Sequence, residues 1–195
     1  MNTAFVLGNG ISRQVVDLTV LSTLGEVYGC NALYREFAPA VLVSTDEPIS
    51  REIQQSGYSK TRYHYTRKPM PNSGAHKIPQ QYYGFSSGPA AVGIAAINHN
   101  RTIYLVGFDM GPTKHGLFNN VYAGTDFYRS TSSVPTYTGN WVRQLLQIAK
   151  DFPKTSFVRV IGDTTANIQE LNGARNLSNI GMEDFLNRIN NTKEL

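Results

Sequence analysis

Thr102-Ile103-Tyr104-Leu105-Val106, followed by Gly107-Phe108-Asp109, decides the fold class of this chain. The run is short, apolar, and rich in β-branched and aromatic residues. It stops at a glycine and an acidic residue, as a buried strand closed by a turn does. Strands buried on both faces belong to parallel sheets covered by helices. Just upstream, Ser86-Ser87-Gly88-Pro89 opens a small-residue stretch that reads as a helix to about residue 98, with Ser87 as its cap and Pro89 at its first position.

The same pattern repeats outward in both directions. Residues 4–7 form a short apolar strand ending at Gly8-Asn9-Gly10, and residues 26–29 a weaker one ending at Cys30-Asn31. One or two helical turns follow over 31–37. Residues 40–43 make a third strand that ends at Thr45-Asp46, and Pro48 opens a helix over 49–55. Tyrosine and threonine favour a strand over 62–66. Downstream, Trp141, Leu145, Ile148, Ala149 and Phe152 share one face of a helix over 140–151. A last strand over 157–161 precedes a final helix marked by Met182, Phe185, Leu186 and Ile189. Two stretches, 67–86 and 110–137, are rich in Gly, Pro, Tyr and Asn and read as long irregular loops, which are often functional. The expectation is one α/β domain over residues 1–195, Rossmann-like and three-layered, with a mainly parallel sheet.

Composition narrows the classes. The chain has 195 residues, 41% hydrophobic and 16% charged, an ordinary globular mix. No apolar run reaches the roughly 18 residues of a membrane span. The N-terminus reads as a first strand and not as a leader. The single cysteine, Cys30, excludes an internal disulfide and fits a cytoplasmic protein. A net charge of +4 suits an anionic small ligand. Nucleic acid is not the expected partner, because such proteins concentrate their charge. The nearest concentration is Lys60, Arg62, Arg67, Lys68 and Lys77 among Tyr63, His64 and Tyr65; it reads as a solvated loop, with a polyanion contact as the alternative.

In an open parallel sheet, ligands sit outside the carboxyl ends of the strands. The residues there are Gly8, Asn9, Gly10 and Ser12, then Asn31, Asp46, Asp109, and Ser87-Gly88 at a helix start. Gly8 and Gly10 allow close backbone approach or a positive φ, or mark a plain turn. They lack the third glycine of the dinucleotide fingerprint. Ser87-Gly88 offers free N–H groups to an anion, or simply caps the helix. Asp46 suits ribose hydroxyls, a metal, or an N-cap. Asp109 reads best as shaping the site. His64, His76, His99 and His115 show no metal-ligand spacing. His115 is the one histidine to consider as a base, against an ordinary surface role. Cys30 reads as core. Tyr82-Tyr83 and Phe127-Tyr128 read as exposed, and could cover a ligand or build a homo-oligomer interface.

Together these residues resemble a known set. Gly8-Asn9-Gly10-x-Ser12 resembles the Gly-Asn-Gly-Pro-Ser of glycosyltransferase family 42, the bacterial sialyltransferases, and Cys30-Asn31-x-x-Tyr34 resembles that family's Cys-Asn-x-x-Tyr. Ser87-Gly88, the following helix and 103–109 resemble its Ser-Gly, helix, Ile-Tyr-Leu-x-Gly-Ile-Asp block. Proteins similar to archaeal 6-hydroxymethylpterin diphosphokinase share two of these blocks. The likeness covers residues 3–46 and 86–111, and the chain as a whole looks like proteins of tailed bacteriophages, which would place it in the host cytoplasm. The resemblance implies that Asn9 and Asn31 contact the phosphate and sugar of a cytidine nucleotide, and that Ser87 and Gly88 hold the phosphate or a donor carboxylate. It sets Asp46 near a nucleotide-contacting asparagine, and Tyr122 or Tyr128 where loop tyrosines steady the leaving phosphate.

The departures bear on chemistry. Ile11 replaces the proline. Asn140 stands where the family has its catalytic histidine, and an amide cannot serve as a general base. The chain is also shorter and lacks much of the family's acceptor lid. The expected function is therefore a nucleotide-dependent transferase, sialyltransferase-like, using a cytidine nucleotide-sugar donor and requiring no cofactor. One alternative is a non-catalytic phage protein that sequesters a nucleotide or nucleotide-derived signal. Another is diphosphate transfer with Mg²⁺ on Asp46 and Asp109.

Overall fold

Apolar residues occupy both faces of the central strands, and the sheet is covered on both sides as a result. In β1 (Thr3–Leu7), Ala4 and Val6 face one layer while Phe5 and Leu7 face the other. The computed structural model describes residues 3–98 and 101–191. After β1 come α1 (Leu18–Leu24), β2 (Glu26–Cys30), β3 (Val41–Ser44), α2 (Glu47–Gln55), β4 (Tyr63–Thr66), β5 (His76–Lys77) and α3 (Ser87–Ile97). Then follow β6 (Thr102–Val106), α4 (Gly139–Asp151), β7 (Ser156–Ile161), β8 (Leu177–Gly181) and α5 (Met182–Asn190).

The eight strands form one sheet in the order β5-β4-β3-β2-β1-β6-β7-β8, and each pair is parallel. This is the three-layer, Rossmann-like α/β architecture the strand pattern calls for. Residues of α3 and α4 pack in one apolar layer with Ala4, Val6, Ile103 and Leu105. The other layer joins Phe5, Leu7, Tyr104 and Val106 to residues of α1, α2 and α5. The chain winds from β1 outward to β5, returns through α3, and places β6 on the other side of β1. That reversal opens a crevice at the carboxyl ends of β1 and β6.

Several elements differ from the sequence expectation. Residues 156–161 are not the last strand: β8 follows as an edge strand. Residues 18–24 form a helix that the expectation omits. Its cap is Asp17, whose carboxylate accepts from the Thr19 N–H at 2.9 Å. The stretch 67–86 is not wholly irregular, since it contains β5 and a short 3-10 turn, Gln80–Tyr82. Helix α3 begins at Ser87 itself. Its cap position is Ser86, with no side-chain cap bond, so Ser87 is not the cap and Pro89 is the third helical residue and not the first. By contrast, 110–137 holds no helix or strand.

Helix α3 is the element that positions the crevice. It is nearly all small or aliphatic residues, and residues 87 and 89–96 are buried. A side chain at Gly93 would come within 2.5 Å of the Tyr82 ring, so the glycine lets that ring lie against the helix, and Tyr82 is buried there and not exposed as the sequence suggests.

Candidate functional site

The turns after β1, β2, β3 and β6, together with the starts of α3 and α4, enclose a cavity of about 240 Å³. Its lining brings together Gly8, Asn9, Gly10, Asn31, Asp46, Ser87, Gly88 and Asp109 from five separate segments. Ser12 is not among the lining residues, and neither are His115, Tyr122 or Tyr128. Arg67, one of the cations weighed as a polyanion contact, lines it too, and so do several residues that sequence reading did not single out as ligand contacts: Thr45, Met110, Phe118, Asn119, Asn120, Thr138 and Trp141.

One wall is a closed hydrogen-bonded block. The ladder between β1 and β6 continues past both strands, with the Gly8 N–H on the Val106 carbonyl at 2.8 Å and the Gly10 N–H on the Gly107 carbonyl at 2.9 Å. A Cβ at Gly8 would lie 2.5 Å from the Gly107 oxygen, and one at Gly10 would lie 2.4 Å from the Asp109 Cγ. Gly10 has φ −65°, so no positive φ is involved there. The Gly-Asn-Gly sequence is thus required by the approach of two strand-end turns to each other.

Asp109 is 2% exposed. Its carboxylate accepts from the Ser12 N–H (3.0 Å), the Asn119 amide (3.1 Å), the Thr164 hydroxyl (2.7 Å), the Thr165 hydroxyl (3.1 Å) and the Ser12 hydroxyl. Five donors engage it fully, so it builds the wall. Behind it lies Arg159, also 2% exposed, which donates to the carbonyls of Phe108, Asp109 and Ala166 at 2.9–3.0 Å. Burial lowers its pKa to about 10, against the pull of the Asp109 charge, and it stays charged at neutral pH.

The facing wall is built differently. Asn31 follows β2 with φ 54°, a left-handed conformation that asparagine tolerates better than most residues. Its Oδ1 accepts from the Ser87 hydroxyl at 2.9 Å. Its Nδ2 has no hydrogen-bond partner among the described residues. The Ser87 oxygen also accepts from the Thr45 N–H at 2.9 Å and contacts the Thr45 hydroxyl. The Ser87 side chain therefore ties β3, Asn31 and α3 together. What α3 offers a ligand is the free N–H groups of Ser87 and Gly88 and the positive end of its dipole.

Asp46 is exposed, and although it stands at the cap position of α2 its side chain makes no cap bond. Its carboxylate remains open to the cavity. Asn9 adds a buried Oδ1 with no hydrogen-bond partner. Met110, also on the lining, sits at φ 47°, a strained backbone of the kind that collects at functional sites. Arg67 is the one arginine or lysine of the lining, and it donates to the Tyr83 and Phe85 carbonyls at 2.8 Å each.

The remaining candidates stand elsewhere. His115 is exposed in a turn outside the lining. The Tyr122 hydroxyl receives the Arg13 guanidinium at 2.8 Å and donates to Glu36. The Tyr128 hydroxyl accepts from the Ala32 N–H at 3.3 Å. Burial drives both phenol pKa values strongly upward, so neither supplies an acid or base at neutral pH. Cys30 is buried against the Leu7 carbonyl, and burial pushes its thiol up to about 12, consistent with a core role. Asn140 is exposed and bonded to Arg143. His99 lies outside the described residues. No family model, curated protein or solved structure matches the chain.

Proposed function

We propose that the cavity binds a cytidine nucleotide and that the protein is a nucleotide-dependent transferase acting on a nucleotide-sugar donor, in the manner of a sialyltransferase. The observation that carries this reading is the meeting of Asn9, Asn31, Asp46 and the Ser87-Gly88 N–H groups around one cavity, each with unused hydrogen-bonding capacity. The N–H groups suit the phosphate. The amides of Asn9 and Asn31 suit ribose hydroxyls and base edges. At about 240 Å³ the cavity is smaller than typical drug-sized sites, so the sugar of a donor would extend to the mouth, beside Phe118 and Trp141.

Transfer on this reading is a displacement. An acceptor hydroxyl attacks the anomeric carbon, the bond from that carbon to the phosphate oxygen breaks, and the nucleotide leaves with the electron pair. The α3 N–H groups stabilise the charge growing on the phosphate. Asp46 is the carboxylate with room to take the acceptor's proton, in place of the histidine that the resemblance would set at Asn140. A second reading, sequestration without turnover, is favoured by one observation: His115, Tyr122 and Tyr128 all stand outside the cavity lining. Mg²⁺-assisted diphosphate transfer has less support, because the Asp109 oxygens are already engaged and Asp46 alone could meet the ion.

Assays of CMP release and sugar transfer from a CMP-sugar, on the wild type and Asp46→Asn, test the proposal. Turnover that falls about 100-fold or more in Asp46→Asn, with CMP binding kept, supports transfer with Asp46 as base. Tight CMP binding without turnover in the wild type selects sequestration.

A further inference from the structure

The sequence segment that includes the β4–β5 edge of the sheet has an unusual charge distribution. Residues 53–108 contain no aspartate or glutamate, so all 14 acidic residues lie outside this span, while Lys60, Arg62, Arg67, Lys68, Lys77 and Arg101 lie within it. Lys68 pairs with Glu47 at 3.1 Å, and Arg67 is held by backbone carbonyls. Lys60, Arg62 and Lys77 are exposed and make no ion pair among the described residues.

The same edge carries a row of rings. Register pairs Tyr65 of β4 with His76 of β5, and Tyr63 points to the same face two residues earlier. The His76 ring lies 5.8 Å from Tyr63 and 5.4 Å from Tyr65, tilted by 34° and 35°. Tyr63 is 62% exposed and Tyr83 37%, with the Lys77 ammonium 5.5 Å over the Tyr83 ring. As a solvated loop this stretch would hold no fixed arrangement. As two paired strands it fixes the rings on a sheet edge with no further strand among the described residues, with Lys77 in β5 and with Lys60 and Arg62 just before β4.

We propose that the β4–β5 edge binds single-stranded nucleic acid, with unpaired bases stacking on Tyr63 and His76 and phosphates meeting Lys60, Arg62 and Lys77. Exposed rings flanked by cations fit a strand whose bases are free to stack, and a duplex hides those faces. This inference is independent of the cavity and its ligand.

The test is fluorescence anisotropy with a labelled oligonucleotide of about 12 nucleotides, single-stranded and as a duplex. The single strand is expected to bind more tightly than the duplex. Raising salt from about 50 to about 200 mM should weaken binding roughly 15-fold, as three phosphate contacts require. Tyr63→Ala should weaken it at least about five-fold. The combined Lys60→Ser, Arg62→Ser, Lys77→Ser variant should lose most of the salt dependence with an unchanged melting temperature, since all three side chains are exposed. Binding that survives Tyr63→Ala and the charge variant unchanged overturns the proposal. So does displacement of the strand by CMP, or binding of anionic vesicles or poly-glutamate in place of the oligonucleotide.

Discussion

The two walls of the cavity use the same residue types to opposite ends. Asp109 and Asp46 each follow a parallel strand and each line the cavity. Asp109 is buried with five donors on its carboxylate, while Asp46 is exposed with a carboxylate that caps nothing. Apart from the Asn9 side chain, whose Oδ1 has no partner, the β1–β6 wall is closed on itself by Ser12, Asn119, Thr164 and Thr165. The wall formed by the ends of β2 and β3 and the start of α3 keeps donors and acceptors in reserve. A polar residue at a strand end is thus scaffold or ligand contact according to whether the protein already satisfies it.

The largest expected effect breaks the closed wall. Asp109→Ala leaves the Ser12, Asn119, Thr164 and Thr165 donors without their acceptor. It should destabilise the protein by about 4 kcal/mol, read as a lowered midpoint in urea. A change below about 1 kcal/mol would mean that this wall is not a rigid unit.

A second effect probes the scaffold behind the open wall. His64 is buried between the hydroxyls of Ser44, at the end of β3, and Ser59, at 2.6 and 2.7 Å. Burial, aided by the nearby His76, lowers its pKa from 6.5 to about 4. The unfolded chain therefore binds this proton more readily than the native one. Stability from this group is full above pH 6.5 and falls as pH drops towards 4, by up to about 3 kcal/mol. Urea titrations across that range should show the slope, and His64→Gln should flatten it.

The smallest effect on stability belongs to the open wall. Asn31→Gly keeps the left-handed backbone, which glycine adopts without strain, and removes the amide. Its melting temperature should shift by no more than the loss of one side-chain hydrogen bond, about 1 kcal/mol.

How much of this was legible in the sequence follows from the same physics. The central strands are short apolar runs because both faces are buried, so β1, β3, β6 and β7 stand out. The edge strands escape: in β8 only Leu177 is buried, and β5 is two exposed polar residues. Helix α1 is hard to see because Thr19, Val20 and Thr23 favour extended chain, and its signal is the cap at Asp17. The cavity residues were legible as small or polar positions after strands. Their division into closed and open walls was not, because Ser12 and Asp109 meet across 97 residues. Arg159 was invisible for a related reason: in sequence it is one charge within an apolar strand, and only the fold brings three carbonyls to it.

The central claim is that the open wall binds a nucleotide phosphate and sugar. The chain has one tryptophan, Trp141, and it lines the cavity, so its emission reports directly on occupancy. The measurement is a titration of that emission with CMP, on the wild type and on Asn31→Gly at matched folding. The account predicts a saturable change in the wild type with an affinity of 1 mM or tighter, about −4 kcal/mol, weakened at least about tenfold in the variant. No response to CMP at concentrations well above that, or the same response in both proteins, would contradict it.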